Sequence, residues 1–273
     1  MSTPAPTPVV IAGAGGRMGR TLLALASRDS SLRVVGAFEA PGHPAIGSDA
    51  GTSAGIAALG VAVTEGASTA LGPGVVLVDF TWPDPSLEHL RAATAAGAAA
   101  VLGTTGFRAD QQREIEAIAR SIAVVQAANM SVGVTVLTRV AADVARRLGS
   151  SFDIEVVETH HRLKKDAPSG TALALARAAA SGRGARLEDW AVYGREGLTG
   201  ERPDAQLGVM ALRGGDVVGD HTVFFFGTGE RIELTHRAQS REAFASGALR
   251  AATWVSRRAP GLYSMHDVLF EQS

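Results

Sequence analysis

Cysteine is absent from all 273 residues. That excludes disulfide frameworks, iron–sulfur clusters held by thiolates, cysteine zinc sites and a cysteine nucleophile. A surplus of either charge is missing too: 26 Lys and Arg against 27 Asp and Glu leave a net charge of -1. With no basic block, phosphate-backbone binding is not the expected task and no nucleic-acid partner is expected. No apolar run approaches the roughly 20 residues that a membrane-spanning helix needs, so no membrane partner is expected. Residues 1–8, rich in Ser, Thr and Pro without a basic start, read as a loose tail rather than an export signal. A soluble, cytoplasmic chain is the expectation. What abounds is glycine, 32 residues without a periodic repeat, which suits a globular α/β chain with many tight turns.

The first half alternates strands and helices. Val9-Val10-Ile11-Ala12, a short apolar run, ends on Gly13-Ala14-Gly15-Gly16-Arg17-Met18-Gly19, after which Leu22, Leu25 and Ala26 join Met18 near one helical face. Further strands are predicted over 32–38, 75–80, 99–102 and 122–126. Helical stripes lie over 87–94, closed by Gly97, and over 115–122. This alternation predicts a doubly wound parallel sheet. From Ser131 the pattern changes to a helix over 132–148, a strand over 152–159 and a helix over 171–180. Strand-like stretches follow over 190–193, 208–213, 217–226 and 231–237. Gly214-Gly215-Asp216 and Gly227-Thr228-Gly229 read as hairpin turns, so a second α+β domain with a mostly antiparallel sheet is expected. The last helical pattern, 241–258, needs a face to bury and is expected to pack on the first domain. The predicted division is 1–130 with 241–273, and 131–240.

Gly13, Gly15 and Gly16 stand where a strand hands over to a helix. Lacking side chains, they let the backbone approach a pyrophosphate, whose charge the N–H groups and helix dipole stabilise. Gly19 comes one place later than in the usual G-x-G-x-x-G. Glu39 follows it by 20 residues, at the end of the second strand, where an acid accepts from ribose hydroxyls. A mere tight turn and a solvated glutamate are the plainer alternatives, and the context of each favours a Rossmann-like dinucleotide site. Phe80-Thr81, Gly103-Thr104-Thr105 and Ala127-Ala128-Asn129 end later strands on the same sheet edge and leave room for a nicotinamide. Ala40 offers no cation to a 2′-phosphate and Glu39 repels one, so NADH is the expected cofactor. Arg17 keeps NADPH open.

The segment Glu158-Thr159-His160-His161-Arg162-Leu163-Lys164-Lys165-Asp166-Ala167-Pro168-Ser169-Gly170-Thr171 leaves a strand and enters a helix. If strand geometry holds through His161, the two histidines face opposite sides and take different roles. Five of the six residues from His160 to Lys165 can carry positive charge. A solvated basic loop is the plain alternative. Ser169 or Thr171 can cap the helix, however, and Gly170 lets an anion approach its free N–H groups. Basic loop and helix start together suit a small dicarboxylate substrate. Reducing a C=N or conjugated C=C needs a hydride and a proton, and a histidine or lysine in that loop can give the proton. Glu158, His160 and His161 mimic metal ligands, but no further ligand set clusters with them and no metal is expected.

Nearly end to end, the sequence resembles the dihydrodipicolinate reductase (4-hydroxy-tetrahydrodipicolinate reductase) family. The resemblance is carried by 9–19, Asp79-Phe80-Thr81, Gly103-Thr104-Thr105-Gly106, Ala127-Ala128-Asn129-Met130-Ser131-Val132-Gly133 and 158–172. It implies NAD(P)H-dependent reduction of the dehydrated form of 4-hydroxy-tetrahydrodipicolinate to tetrahydrodipicolinate, in diaminopimelate and lysine biosynthesis. Gly13, Ala14, Gly15, Gly16, Arg17 and Met18 would cradle the pyrophosphate, and Glu39 would hold the adenosine ribose. Gly103, Thr104, Thr105 and Ala127, Ala128, Asn129, Met130 would line the nicotinamide side. His160 would be proton donor and acceptor and Lys164 proton donor, with His161, Ser169, Gly170 and Thr171 on the substrate carboxylates. A homotetramer built through the second domain's sheet is also implied. Two departures stand out: Ala40 replaces the basic residue of members using both cofactors, and Met130 stands where many carry an aromatic. A sugar dehydrogenase and a non-catalytic dinucleotide sensor are the rival readings, and neither explains the cationic loop with His160 and Lys164.

Overall fold

A computed structural model describes residues 5–67 and 70–270. The chain divides into two compact units, with boundaries at Val132/Gly133 and Ser240/Arg241.

The first unit runs β1 (Thr7–Ala12), α1 (Arg17–Ala26), β2 (Leu32–Glu39), α2 (Ala50–Ser53), β3 (Val63–Glu65), β4 (Val76–Asp79), α3 (Pro83–Ala96), β5 (Ala99–Leu102), α4 (Ala109–Ile118) and β6 (Ala123–Gln126). The second holds nearly all of α5 (Val132–Leu148), then β7 (Asp153–His160), α6 (Gly170–Gly182), α7 (Leu187–Trp190), β8 (Ala191–Val192), β9 (Leu207–Arg213), β10 (Gly219–Gly227) and β11 (Glu230–Ala238). The chain then returns to the first unit as α8 (Glu242–Val255), β12 (Gly261–Tyr263) and α9 (Met265–Phe270).

Seven strands form the first sheet in the order β12-β6-β5-β4-β1-β2-β3, and every pairing is parallel. Successive residues of one strand serve opposite layers, as the two-residue period of a strand requires. Val9 and Ile11 pack with Leu22 and Leu23 of α1 and with Ala248 and Leu249 of α8. Val10 and Ala12 pack with Leu87 and Leu90 of α3 and Ile115 of α4. Helices therefore cover both faces, and the central strands are apolar throughout rather than alternating. Strand order reverses beside β1, which places a crevice at the C-terminal ends of β1, β2, β4 and β5.

Differences from the sequence reading lie mainly at the edges. Thr7 and Pro8 belong to β1, Thr7 N–H bonding to the Ser31 carbonyl, so the expected tail does not reach residue 8; residues 1–4 lie outside those described. Edge strands β3 and β12, three residues each, gave too short a pattern to read. α3 begins at Pro83, whose missing N–H costs nothing in a first turn, and Gly97 ends it in the left-handed region at φ 69°.

The second sheet is mixed, in the order β11-β10-β7-β9-β8. β10 pairs antiparallel with β11 and β7, whereas β9 runs parallel to β7 and β8. Gly227-Thr228-Gly229 does close a hairpin, as expected. Gly214-Gly215-Asp216 does not, because β7 lies between β9 and β10. That connection instead crosses the end of β7, where His161 N–H bonds to the Val217 carbonyl and Arg162 N–H to that of Gly215. Ile154, Val156, Val223 and Phe225 face α5 and α6 in one core. No helix among the described residues is long and apolar enough to cross a membrane.

Candidate functional site

In the first unit the glycine turn joins β1 to α1. Gly13 has φ 65°, a conformation that side chains disfavour. A Cβ on Gly19 would lie 2.1 Å from the Gly13 carbonyl oxygen, so the helix can approach the turn only because residue 19 is glycine. Ala14, fully buried, ties the turn to β2 through its N–H on the Phe38 carbonyl. Gly16 caps α1 without any side-chain hydrogen bond, which suits its first-turn N–H groups to an anion.

Glu39 ends β2 at 8% exposure. Its Oε1 accepts from Gly15 N–H at 2.8 Å and its Oε2 from Ala40 N–H at 3.1 Å. The acid thus braces the turn, and each oxygen retains a lone pair for a ribose hydroxyl. A cleft of about 850 Å³ opens here, bordered by Gly13, Gly16, Arg17, Met18, Glu39, Gly103, Thr104 and Thr105. The floor beside it is organised by Asp79, fully buried at the end of β4. Its carboxylate accepts from Thr81 N–H and Oγ1 at 2.7 Å and from Thr104 Oγ1 at 3.3 Å, and pairs with His89 Nδ1 at 2.8 Å.

The later loop is placed differently. Met130 is 1% exposed and packs in the core, its carbonyl against Gly247 of α8, where a Cβ would stand 1.7 Å away. Asn129 Oδ1 accepts from Ser131 N–H, Ala127 N–H bonds to the Leu102 carbonyl, and Ala128 is exposed. None of these four borders the cleft, whereas His43, Trp82 and Arg241, which the sequence did not mark as site residues, do. Arg241 could not be marked as a site residue from sequence because more than 220 positions separate it from the glycine turn.

In the second unit β7 ends at His160 and the two histidines part there. Glu158 and His160, two residues apart, face inward together, while His161 leaves the strand half-buried. Glu158 has no exposed surface and gathers the site. Its oxygens accept from Arg213 Nη1 and Nη2 at 2.8 and 2.9 Å and from Ser169 N–H at 2.9 Å, and Oε2 meets His160 Nδ1 at 2.6 Å. Burial by itself would raise the Glu158 pKa, but the hydrogen bonds from Arg213, His160 and Ser169 outweigh it and hold the carboxyl below its ordinary value.

Ser169 is the N-cap of α6: its Oγ accepts from Ala172 N–H at 3.1 Å and meets His221 Nε2 at 3.0 Å. At 2% exposure it is committed to the fold, leaving exposed Gly170 and half-buried Thr171 at the surface of the helix start. Lys164 Nζ pairs with Asp166 at 2.9 Å, the acid's side chain being 65% exposed. Among the described residues no group of three His, Asp or Glu is placed to hold a metal ion.

The His221 ring stands edge-on to His160 at 5.2 Å. Burial first, then the neighbouring His160, pushes its pKa from 6.5 down to about 4. Between those values the unfolded chain binds a proton that the fold refuses, so stability rises with pH and is lost as pH falls from 6.5 toward 4. The expected loss from this one group is on the order of 3 kcal/mol. Urea unfolding at pH 7, 5.5 and 4.5 should show His221→Gln with a clearly flatter decline than the parent; parallel declines would remove His221 as the cause.

Residues 7–130 match the family model described as Dihydrodipicolinate reductase, N-terminus, and residues 133–269 the one described as Dihydrodipicolinate reductase, C-terminus. The chain is 51% identical over 263 residues to the 4-hydroxy-tetrahydrodipicolinate reductase of Anaeromyxobacter dehalogenans, covering 96% of this chain and 97% of that one. It is 52% identical over 261 residues to the protein of the same name from Thiobacillus denitrificans, with 96% and 97% covered. In fold it is similar to the dipicolinate-bound dihydrodipicolinate reductase of Paenisporosarcina sp. TG-14, with a TM-score of 0.75 at 24% identity over 97% of this chain and 100% of that one.

Proposed function

This chain belongs to the dihydrodipicolinate reductase family, and we propose that NADH is its preferred reductant and that Lys164 and His160 handle the proton. The reaction is the reduction of the dehydrated form of 4-hydroxy-tetrahydrodipicolinate to tetrahydrodipicolinate, in diaminopimelate and lysine biosynthesis, with a pyridine nucleotide supplying the hydride.

The observation that carries the cofactor half is the strand-end acid in the cleft, followed in sequence by an uncharged residue: Glu39 braces the glycine turn and Ala40 follows. Ribose hydroxyls suit that carboxylate, and a 2′-phosphate would meet its charge. Gly13 to Met18 would carry the pyrophosphate on the open start of α1, and Gly103 to Thr105 would border the nicotinamide. Ala127, Ala128, Asn129 and Met130 would then act through the backbone and by supporting that loop.

The substrate half rests on the loop before α6. The Lys164–Asp166 pair is largely solvated on the acid's side, and such pairs are worth only about 0–1 kcal/mol, so the ammonium can leave Asp166 for the reacting part of a bound substrate at little cost. His161, Gly170 N–H and Thr171 would bind the carboxylates, with Ser169 holding the helix start in place. The reading extends to a cytoplasmic homotetramer. Its support is the second sheet's outward Phe224 and Phe226, stacked at 5.5 Å, on a face that neither α5 nor α6 covers.

The test is direct. Titration should give a lower Kd for NADH than for NADPH, and Ala40→Arg should tighten NADPH by about tenfold, the worth of one charge-assisted hydrogen bond. Equal affinities in the parent protein would remove the NADH preference.

A further inference from the structure

We propose that Glu158, held by Arg213, is a positioning residue that locks His160 in the tautomer with its proton on Nδ1, so that Nε2 is the atom exchanging a proton with substrate. The proposal deepens the assignment of His160 given above and rests on it.

Three observations carry it. First, the carboxylate of Glu158 receives a two-pronged grip from the Arg213 guanidinium, at 2.8 and 2.9 Å, in a place with no exposed surface. An ionised carboxylate can only accept hydrogen bonds, so at its 2.6 Å contact with His160 the ring nitrogen must donate. Arginine suits this clamp because its planar fork matches both oxygens at once and never loses its charge. Second, Arg213 also donates to the Asp166 carbonyl at 2.7 Å, so the clamp joins β9 to the loop carrying Lys164. Third, a Cβ on Gly219 would stand 3.0 Å from His160 Nε2, so glycine there keeps a side chain off that nitrogen.

Other charged or titratable groups around the ring do not compete for Nδ1. His221 of β10 bonds to Ser169 and His236 of β11 lies beyond it, paired in register with His221. Lys164 is engaged with Asp166. Among the described residues Glu158 is the one carboxylate in contact with His160. The proton balance is simple. Nε2 of the neutral ring takes up a proton from solvent to form the imidazolium, then gives it to the substrate and keeps the electron pair, while Nδ1–H stays on Glu158, which remains a carboxylate throughout. Glu158 orients the ring; it never carries the transferred proton.

The experiment joins ring nitrogen spectroscopy to kinetics on the full chain. Side-chain 15N–1H correlation on the neutral ring, with the His160 signal assigned by its loss in His160→Gln, should show the proton on Nδ1 and none on Nε2. A neutral ring with its proton on Nε2 in the parent protein overturns the proposal, and this arm needs no stable Glu158 variant. Glu158→Gln keeps an acceptor for Ser169 N–H but loses the charge. It should lower kcat about 100-fold, with KM within about threefold. A kcat close to the parent's overturns the positioning role. If His160→Gln itself keeps full kcat, the assignment of His160 falls and the positioning role with it. If His160→Gln loses kcat while the tautomer and Glu158→Gln behave otherwise than stated, the positioning role alone falls.

Discussion

Replacing Lys164 with Ala is expected to lower kcat by about 10²–10⁴-fold, the contribution of a well-placed proton donor. The effect should fall on kcat because proton transfer is felt in the transition state, whereas binding of the carboxylates is shared with the ground state. Lys164 can serve this way because its stem is only 20% exposed while its partner Asp166 stands 65% in solvent. The ammonium is thus held near the start of α6 by a weak pair and is available to a ligand. Lys165→Ala offers the contrast. It removes the same charge from the same loop at an exposed position and should act through KM, by weakening the field felt by a dianion. Steady-state kinetics with the substrate and NADH decide the matter: equal turnover of Lys164→Ala and the parent would take this lysine out of the reaction.

Gly19→Ala should weaken NADH binding by about 100-fold and lower stability by about 1–3 kcal/mol, the usual cost of forced overpacking. The added methyl group would meet the Gly13 carbonyl oxygen at 2.1 Å and the Ala14 Cα at 2.7 Å. Both are backbone, so no side chain can swing aside, and either α1 retreats or the turn deforms. Either movement displaces the N–H groups at the helix start, where hydrogen bonds to a charged pyrophosphate are worth about 1.5–3 kcal/mol each. Fluorescence titration with NADH and thermal unfolding read the two effects separately. An unchanged Kd would show that the turn does not hold the dinucleotide.

Much of this was legible before any coordinates. Strand β5 and helix α5 fall where their apolar patterns placed them, because a buried strand reads as a short apolar run and a long amphipathic helix repeats its signal several times. Glu39 and Lys164 could be singled out as well, the first at the end of a strand and the second in the loop before a helix. Strands β3 and β12 escaped notice because three residues cannot establish a period. The hairpin expected at Gly214-Gly215-Asp216 was misread for another reason. Turn chemistry says that the chain reverses, but not whether a third strand lies between the two arms, and here β7 does.

The long-range polar pairings belong to a different order of information. Arg213 reaches Glu158 across 55 positions, His221 reaches Ser169 across 52, and Thr104 reaches Asp79 across 25. The local pattern determined the parallel sheet, the glycine turn and the cationic loop, since propensity, periodicity and helix capping act over a few residues. Which histidine turns inward, which carboxylate holds it and which arginine closes on that carboxylate were decided only when β7 came to lie between β9 and β10. A buried charge must find its partner in space, and neighbours in space are set by packing rather than by chain order.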